Sequence, residues 1–152
     1  MGEQEKIPCD TNAGDLDRAM IEIKYAERLA GKWKTKAGTV PTHAYGVEWI
    51  LFDPESEQPK ALLYFEHGRE PGKDAPYLTR ASRVIVGGRM AIMLGVPLIV
   101  VVLSGDETRF VSLEKEGIAE VVSCRYAVRE YRDVHELWLE IPTGLLKAFK
   151  KE

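Results

Sequence analysis

Two glutamates bracket a pair of apolar runs in the stretch "YGVEWILFDPESEQPKALLYFEHGRE". Glu48 precedes "WILF" and Glu66 follows "ALLYF". The runs read as strands over residues 47–53 and 61–67, joined by the Pro-containing turn "DPESEQPK" in an antiparallel hairpin. A register that sets Phe52 near Ala61 sets Val47 or Glu48 near Glu66. Directly opposed residues on adjacent strands have Cβ atoms only about 5 Å apart. Two carboxylates that close repel unless a positive charge lies between them. A hard divalent cation such as Mg²⁺ or Mn²⁺, which prefers oxygen ligands, is the usual solution. Asp53 starts the turn, at the far end of the hairpin from Glu66. The bland alternative is that both glutamates are solvent-facing ends of an edge hairpin.

The elements around this pair follow from periodicity. Leu16, Ala19/Met20, Ile23, Ala26/Glu27 and Ala30 recur at helical spacing, which predicts a helix from about Asp15, its cap, to Ala30, ended by Gly31. It carries three acids, Asp17, Glu22 and Glu27, and spacing to Glu48 favours Glu22 or Asp17. "KWKTKAG" alternates as a first strand. Residues 77–94 read as a helix that is interrupted energetically at Gly87-Gly88, a pair suggesting close packing on a sheet or approach of a ligand. "VPLIVVVL" is apolar throughout and is expected as a central strand covered on both faces. "TRFVSL", "EVVSCRYAV" and "HELWLEI" read as further strands, and "GLLKAFKK" as a short final helix. The expected fold is α/β (α+β): a mixed central sheet with an antiparallel hairpin, flanked by helices. Residues 1–13 are expected to be a disordered or loosely attached tail, and 14–152 one domain.

Composition narrows the classes. A chain of 152 residues with 45% apolar residues can bury a proper core. The longest apolar run is too short to span a bilayer, and the N-terminus lacks the apolar stretch of a secretory signal. Cys9 and Cys124 do not make a disulfide framework, and reduced thiols suit a cytoplasmic protein. Without a CxxC pair, and with His43 and His135 lacking a partner pattern, a structural zinc site is not expected. Net charge is −3, so bulk charge does not announce a nucleic-acid binder. Local charge does more: Lys32, Lys34 and Lys36 cluster in "KWKTK", and Arg69, Lys73, Arg80, Arg83 and Arg89 follow the hairpin. On an amphipathic helix such arginines are most often a solvated face. Trp33, Trp49 and Trp138 read as core or interface residues, and no Gly-rich phosphate loop follows "LIVVVLSGD".

Over residues 15–113 the order helix, three strands, helix, strand, with an acid before the second strand and another closing the third, resembles the PD-(D/E)XK nuclease superfamily. "VEWILF" resembles the first acidic motif, with Glu48 in place of the usual Asp. "ALLYFEHG" resembles the second, with Glu66 as its acid. The resemblance implies a restriction-endonuclease-like core and a metal-dependent phosphodiesterase acting on DNA: an endo- or exonuclease, or a resolvase-like enzyme. It implies Mg²⁺ or Mn²⁺ held by Glu48 and Glu66, joined by a first-helix acid such as Glu22. The chain departs from the pattern at the triplet Glu66-His67-Gly68, which lacks the lysine that in the family positions or activates the attacking water. In some members the basic residue has moved to another element; Arg69, Arg80, Arg83 and Lys24 are the candidates here, with Arg80 and Arg83 favoured. Lys32, Lys34, Lys36, Arg69, Lys73 and Arg89 would bind the nucleic-acid backbone. Other readings stay open: an inactive protein on the same fold that binds nucleic acid or a protein partner, or an assembly subunit. A homodimer is compatible with each.

Overall fold

The computed structural model describes residues 3–40, 47–67, 77–103, 108–122, 126–131, 134–141 and 143–149; of these, the side chains of residues 3–16, 67, 122, 126–136 and 143 lie outside the description. The elements are α1 (Glu3–Lys32), β1 (Lys36–Thr39), β2 (Trp49–Phe52), β3 (Pro59–His67), β4 (Tyr77–Arg80), α2 (Ala81–Leu94), β5 (Leu98–Leu103), β6 (Arg109–Leu113), α3 (Lys115–Val122), β7 (Tyr126–Tyr131), β8 (Val134–Ile141) and β9 (Lys147–Ala148). A six-stranded mixed sheet has the order β1-β2-β3-β5-β6-β9, and a three-stranded sheet has the order β4-β8-β7.

The large sheet has an apolar layer on each face. Toward α1, Leu51, Leu63, Phe65, Ile99 and Val101 pack with Ala26, Leu29 and Ala30. Toward α2 and α3, Leu62, Tyr64, Leu98, Val100 and Val102 pack with Ala81, Val84, Ala91 and Ile118, and Leu139 and Ile141 of the small sheet close that layer. β5 therefore has a core on both sides, which is why "LIVVVL" has no polar position. β3 and β5 run parallel, while β2 with β3 and β5 with β6 are antiparallel.

The Gly87-Gly88 pair is explained by packing. A Cβ on Gly88 would stand 2.8 Å from Ile118 Cγ2, and one on Gly87 would stand 3.2 Å from Val47 Cγ2. The glycines let α2 lie close on α3 and on the chain entering β2.

Several elements differ from the sequence expectation. α1 begins at Glu3, upstream of the expected cap Asp15, and continues past Gly31 to Lys32. Its C-terminus is closed by Lys34 in the left-handed region (φ 54), with Thr35 N donating to Ala30 O and Lys34 N to Gly31 O. This is a Schellman closure on a lysine instead of a glycine. "KWKTK" is therefore helix end and turn, and the strand begins only at Lys36. Tyr77–Arg80 is strand β4, paired with β8, and α2 begins at Ala81. The expected strand "EVVSCRYAV" divides into the end of α3 and β7. Among the described residues, "GLLKAF" forms no α-helix: a 3₁₀ turn (Thr143–Leu145) leads into β9, which pairs with β6. Phe149 then packs its ring at a tilt against Phe110 and Tyr25, a tertiary anchor that outweighs local helix propensity. Among the described residues no helix is long and apolar enough to cross a membrane.

Candidate functional site

Glu48 lies immediately before β2, and its backbone is tied to both neighbouring strands: Glu48 N donates to Leu63 O, and Val40 N donates to Glu48 O. The hairpin register is Leu51↔Ala61 and Trp49↔Leu63, with an irregularity at Leu51/Phe52. Continued outward, it sets Glu48 beside Tyr64, two residues short of the expected Glu66. Tyr64 and Glu66 are two apart on β3, so Glu48 and Glu66 lie on the same face of the sheet. Glu48 and Glu66 remain diagonal neighbours at the end of the sheet where β3 and β5 finish. In open sheets that contain parallel strands, this carboxyl end is where ligands commonly bind.

The positive charge between them is a side chain. Arg83, in the first turn of α2, donates from Nη1 to Glu48 Oε1 (2.5 Å) and to Phe65 O (2.8 Å). Its Nε stands 3.6 Å from Glu66 Oε1. The other oxygen of Glu66 accepts the backbone N–H of Arg80 at 3.3 Å, so Glu66 also serves the N-terminus of α2, whose Arg80 offers no side-chain cap. A carboxylate there is favoured by the helix dipole. Glu66 is only 4% exposed, and a charge that buried requires such partners. Beneath the cluster, Tyr64 Oη and Thr79 Oγ1 are 2.6 Å apart, joining the two sheets. Burial pushes the Tyr64 phenol well above its usual range and keeps it neutral. Arg83 lies over the Tyr64 ring at 5.5 Å.

Glu22 completes the group from α1. It is half-buried and shares a hydrogen bond with Glu48, whereas Asp17 and Glu27 are exposed. Burial raises the Glu48 carboxyl from 4.5 to about 7; the Glu22 hydrogen bond adds to the rise, and Arg83 opposes it. Two carboxyls joined by a hydrogen bond need a proton between them, and the raised Glu48 carboxyl favours holding it. Strongly perturbed acids of this kind gather at functional sites.

The remaining basic residues fall elsewhere. Arg80 is exposed and its guanidinium lies over the Trp138 ring at 5.5 Å, so it meets the cluster only through its backbone. Lys24 is exposed, near the Tyr25 ring. Arg89 is exposed further along α2. Lys36 pairs with Phe52, whereas Val40 bonds to Glu48. Four residues of strand, roughly 14 Å, therefore separate Lys36 from the acids. Lys32 is ten residues beyond Glu22 on α1, about 15 Å along the helix axis. Its ammonium stands 4.9 Å from the centre of the Phe110 ring. Lys34 lines a groove of about 370 Å³ with Trp33, Asp53, Lys60 and Glu114, at the turn end of the hairpin. Arg69 and Lys73, along with His43 and Cys124, lie outside the described residues, as does the side chain of His67.

Three glutamates with oxygen-only donors suit a hard divalent ion in their chemistry. Yet among the described residues no three acidic, histidine or cysteine side chains stand as a ready metal-ligand set. Arg83 already lies between Glu48 and Glu66. Its role as the central cation was only one of several candidates in the sequence, because a crossover helix gives no residue-by-residue register to the strands. Among known proteins, no family model and no curated sequence matches the chain.

Proposed function

We propose that the chain is a metal-dependent phosphodiesterase acting on DNA, built on a restriction-endonuclease-like core. The reading is carried by one observation. Carboxylates beside β2 and at the end of β3 meet a guanidinium from α2 at the carboxyl end of the parallel strands, and a carboxyl from α1 bonds to the first of them. Element order supports it, apart from the inserted β4: a helix, an antiparallel three-strand set, a second helix, and a strand parallel to β3. Glu22, Glu48 and Glu66 would hold Mg²⁺ or Mn²⁺. Such an ion supplies Lewis acidity toward a phosphate oxygen and lowers the pKa of a bound water. Arg83 takes the place of the lysine missing from Glu66-His67-Gly68 and offsets charge on the phosphate. Glu66 also fixes the start of α2, and so the position of Arg83. A cytoplasmic location goes with this reading.

The test is incubation of purified protein with single-stranded, duplex and branched DNA, with Mg²⁺, with Mn²⁺ and with chelator. Cleavage that depends on metal is the expected result. No cleavage of any substrate, together with no Mn²⁺ binding by calorimetry, rejects the enzyme. A second reading would then stand, a nuclease-like fold kept for binding nucleic acid or a protein partner. The observation favouring it is that Arg83 already lies between the two strand glutamates, where a metal ion would stand.

A further inference from the structure

We propose that Arg83 occupies the cation seat of the acid cluster in the free protein, and that a substrate phosphate draws it out, so that phosphate and divalent ion bind with positive cooperativity. The inference rests on the metal-site reading above and adds an order to it.

The argument is one of competition for the same oxygens. Arg83 contacts Glu48 Oε1 through Nη1 and faces Glu66 Oε1 through Nε. A divalent ion shared by those carboxylates would stand where the guanidinium stands, and two cations among largely buried acids repel strongly at low dielectric. Binding a metal to the free protein therefore includes the cost of breaking the Arg83 hydrogen bonds to Glu48 Oε1 and Phe65 O and its ion pair with Glu66. The side chain is 21% exposed, so it has an opening toward solvent. A guanidinium is also well matched to phosphate, which accepts its parallel N–H donors in the same bidentate way as a carboxylate. A phosphate at the mouth of the cluster gives Arg83 another partner and leaves Glu48 and Glu66 free for the ion. By linkage, the metal must then strengthen phosphate binding by the same factor. The free protein is thereby protected from adventitious metal.

The test is Mn²⁺ titration by calorimetry of the full chain, wild type and Arg83→Gln, each with and without a short single-stranded oligonucleotide. Wild type is expected to bind Mn²⁺ weakly alone and roughly 5–150-fold more tightly with oligonucleotide, the usual span of coupling between two sites. Arg83→Gln is expected to bind Mn²⁺ tightly without oligonucleotide and to gain little from it. Arg83→Lys keeps the charge but not the fork, and should lie between the two; it also serves if Arg83→Gln fails to fold. Equal or weaker Mn²⁺ affinity in the variants overturns the inference. So does a wild-type affinity that the oligonucleotide leaves unchanged. Coupled binding without DNA cleavage would reject the phosphodiesterase while leaving the exchange of Arg83 intact.

Discussion

The two ends of the β2–β3 hairpin each carry an acid, and the two acids have opposite fates. At the turn, Asp53 accepts the backbone N–H groups of Glu55 and Ser56, both at 2.9 Å. Those bonds hold its carboxyl below the usual range. Its partners come from within three residues, so it is a self-contained turn device. At the open end, Glu48 draws its partners from α1 and α2, is largely desolvated, and is raised to about 7. An acid satisfied by its own loop is finished structurally. An acid whose partners come from distant elements is held in an environment that only the complete fold can make. That contrast separates a structural carboxylate from a chemical one more clearly than acidity of the local sequence does.

The largest effect should come from breaking the open end. Glu66→Ala is expected to abolish metal-dependent cleavage, raising the barrier by several kcal/mol, on the order of 10³-fold in rate. Glu48→Ala should behave alike. Single-turnover cleavage, with circular dichroism to show that the fold survives, checks both.

The next effect is on stability. Folding raises the Glu48 pKa above its ordinary 4.5 to about 7, so the native state binds this proton more tightly than the unfolded chain. The resulting stability is complete below about pH 4.5 and declines as pH rises through about 7. In chelator, the urea midpoint should therefore be lower at pH 8 than at pH 5, to the extent that this group controls it. Glu48→Gln, which cannot ionise, should remove that component. A slope of the same size in Glu48→Gln would mean that other groups dominate.

How far these regions could be read from the sequence depends on how local their causes are. The adjacency of Glu48 and Glu66 was legible because a hairpin fixes neighbours through strand period and turn length. The register itself was not legible: Ala61 pairs with Leu51 instead of Phe52, and the irregularity at Leu51/Phe52 leaves no composition signal. Glu22 was legible only as one of two favoured acids, since helical period gives a face but not a partner. β4 was hidden because Leu78 continues the apolar spacing of α2; what makes Tyr77–Arg80 a strand is β8, some sixty residues away. The same distance hid the small sheet and with it the Tyr64–Thr79 link beneath Arg83.

A smaller effect concerns the lysines at the turn end. Replacing Lys32, Lys34 and Lys36 by alanine should leave the cleavage rate of bound DNA unchanged, because they stand well away from the acids. If a long substrate reaches them, its affinity should fall and its salt slope should drop by about 1 for each lost phosphate contact. Titration of long and short DNA at two salt concentrations separates the cases.

The smallest effect is expected for Asp53→Ala. It loses two exposed turn hydrogen bonds, and should lower thermal stability slightly with no change in cleavage or metal affinity. A substantial loss of activity there would erase the distinction between the two ends.

The most direct test is a crystal structure of the protein soaked in Mn²⁺ with an oligonucleotide, with the metal located by its anomalous signal. The account predicts a peak bounded by Glu22, Glu48 and Glu66, with Arg83 turned from the carboxylates to a phosphate. A structure with no peak there, and with Arg83 still between Glu48 and Glu66, would contradict it.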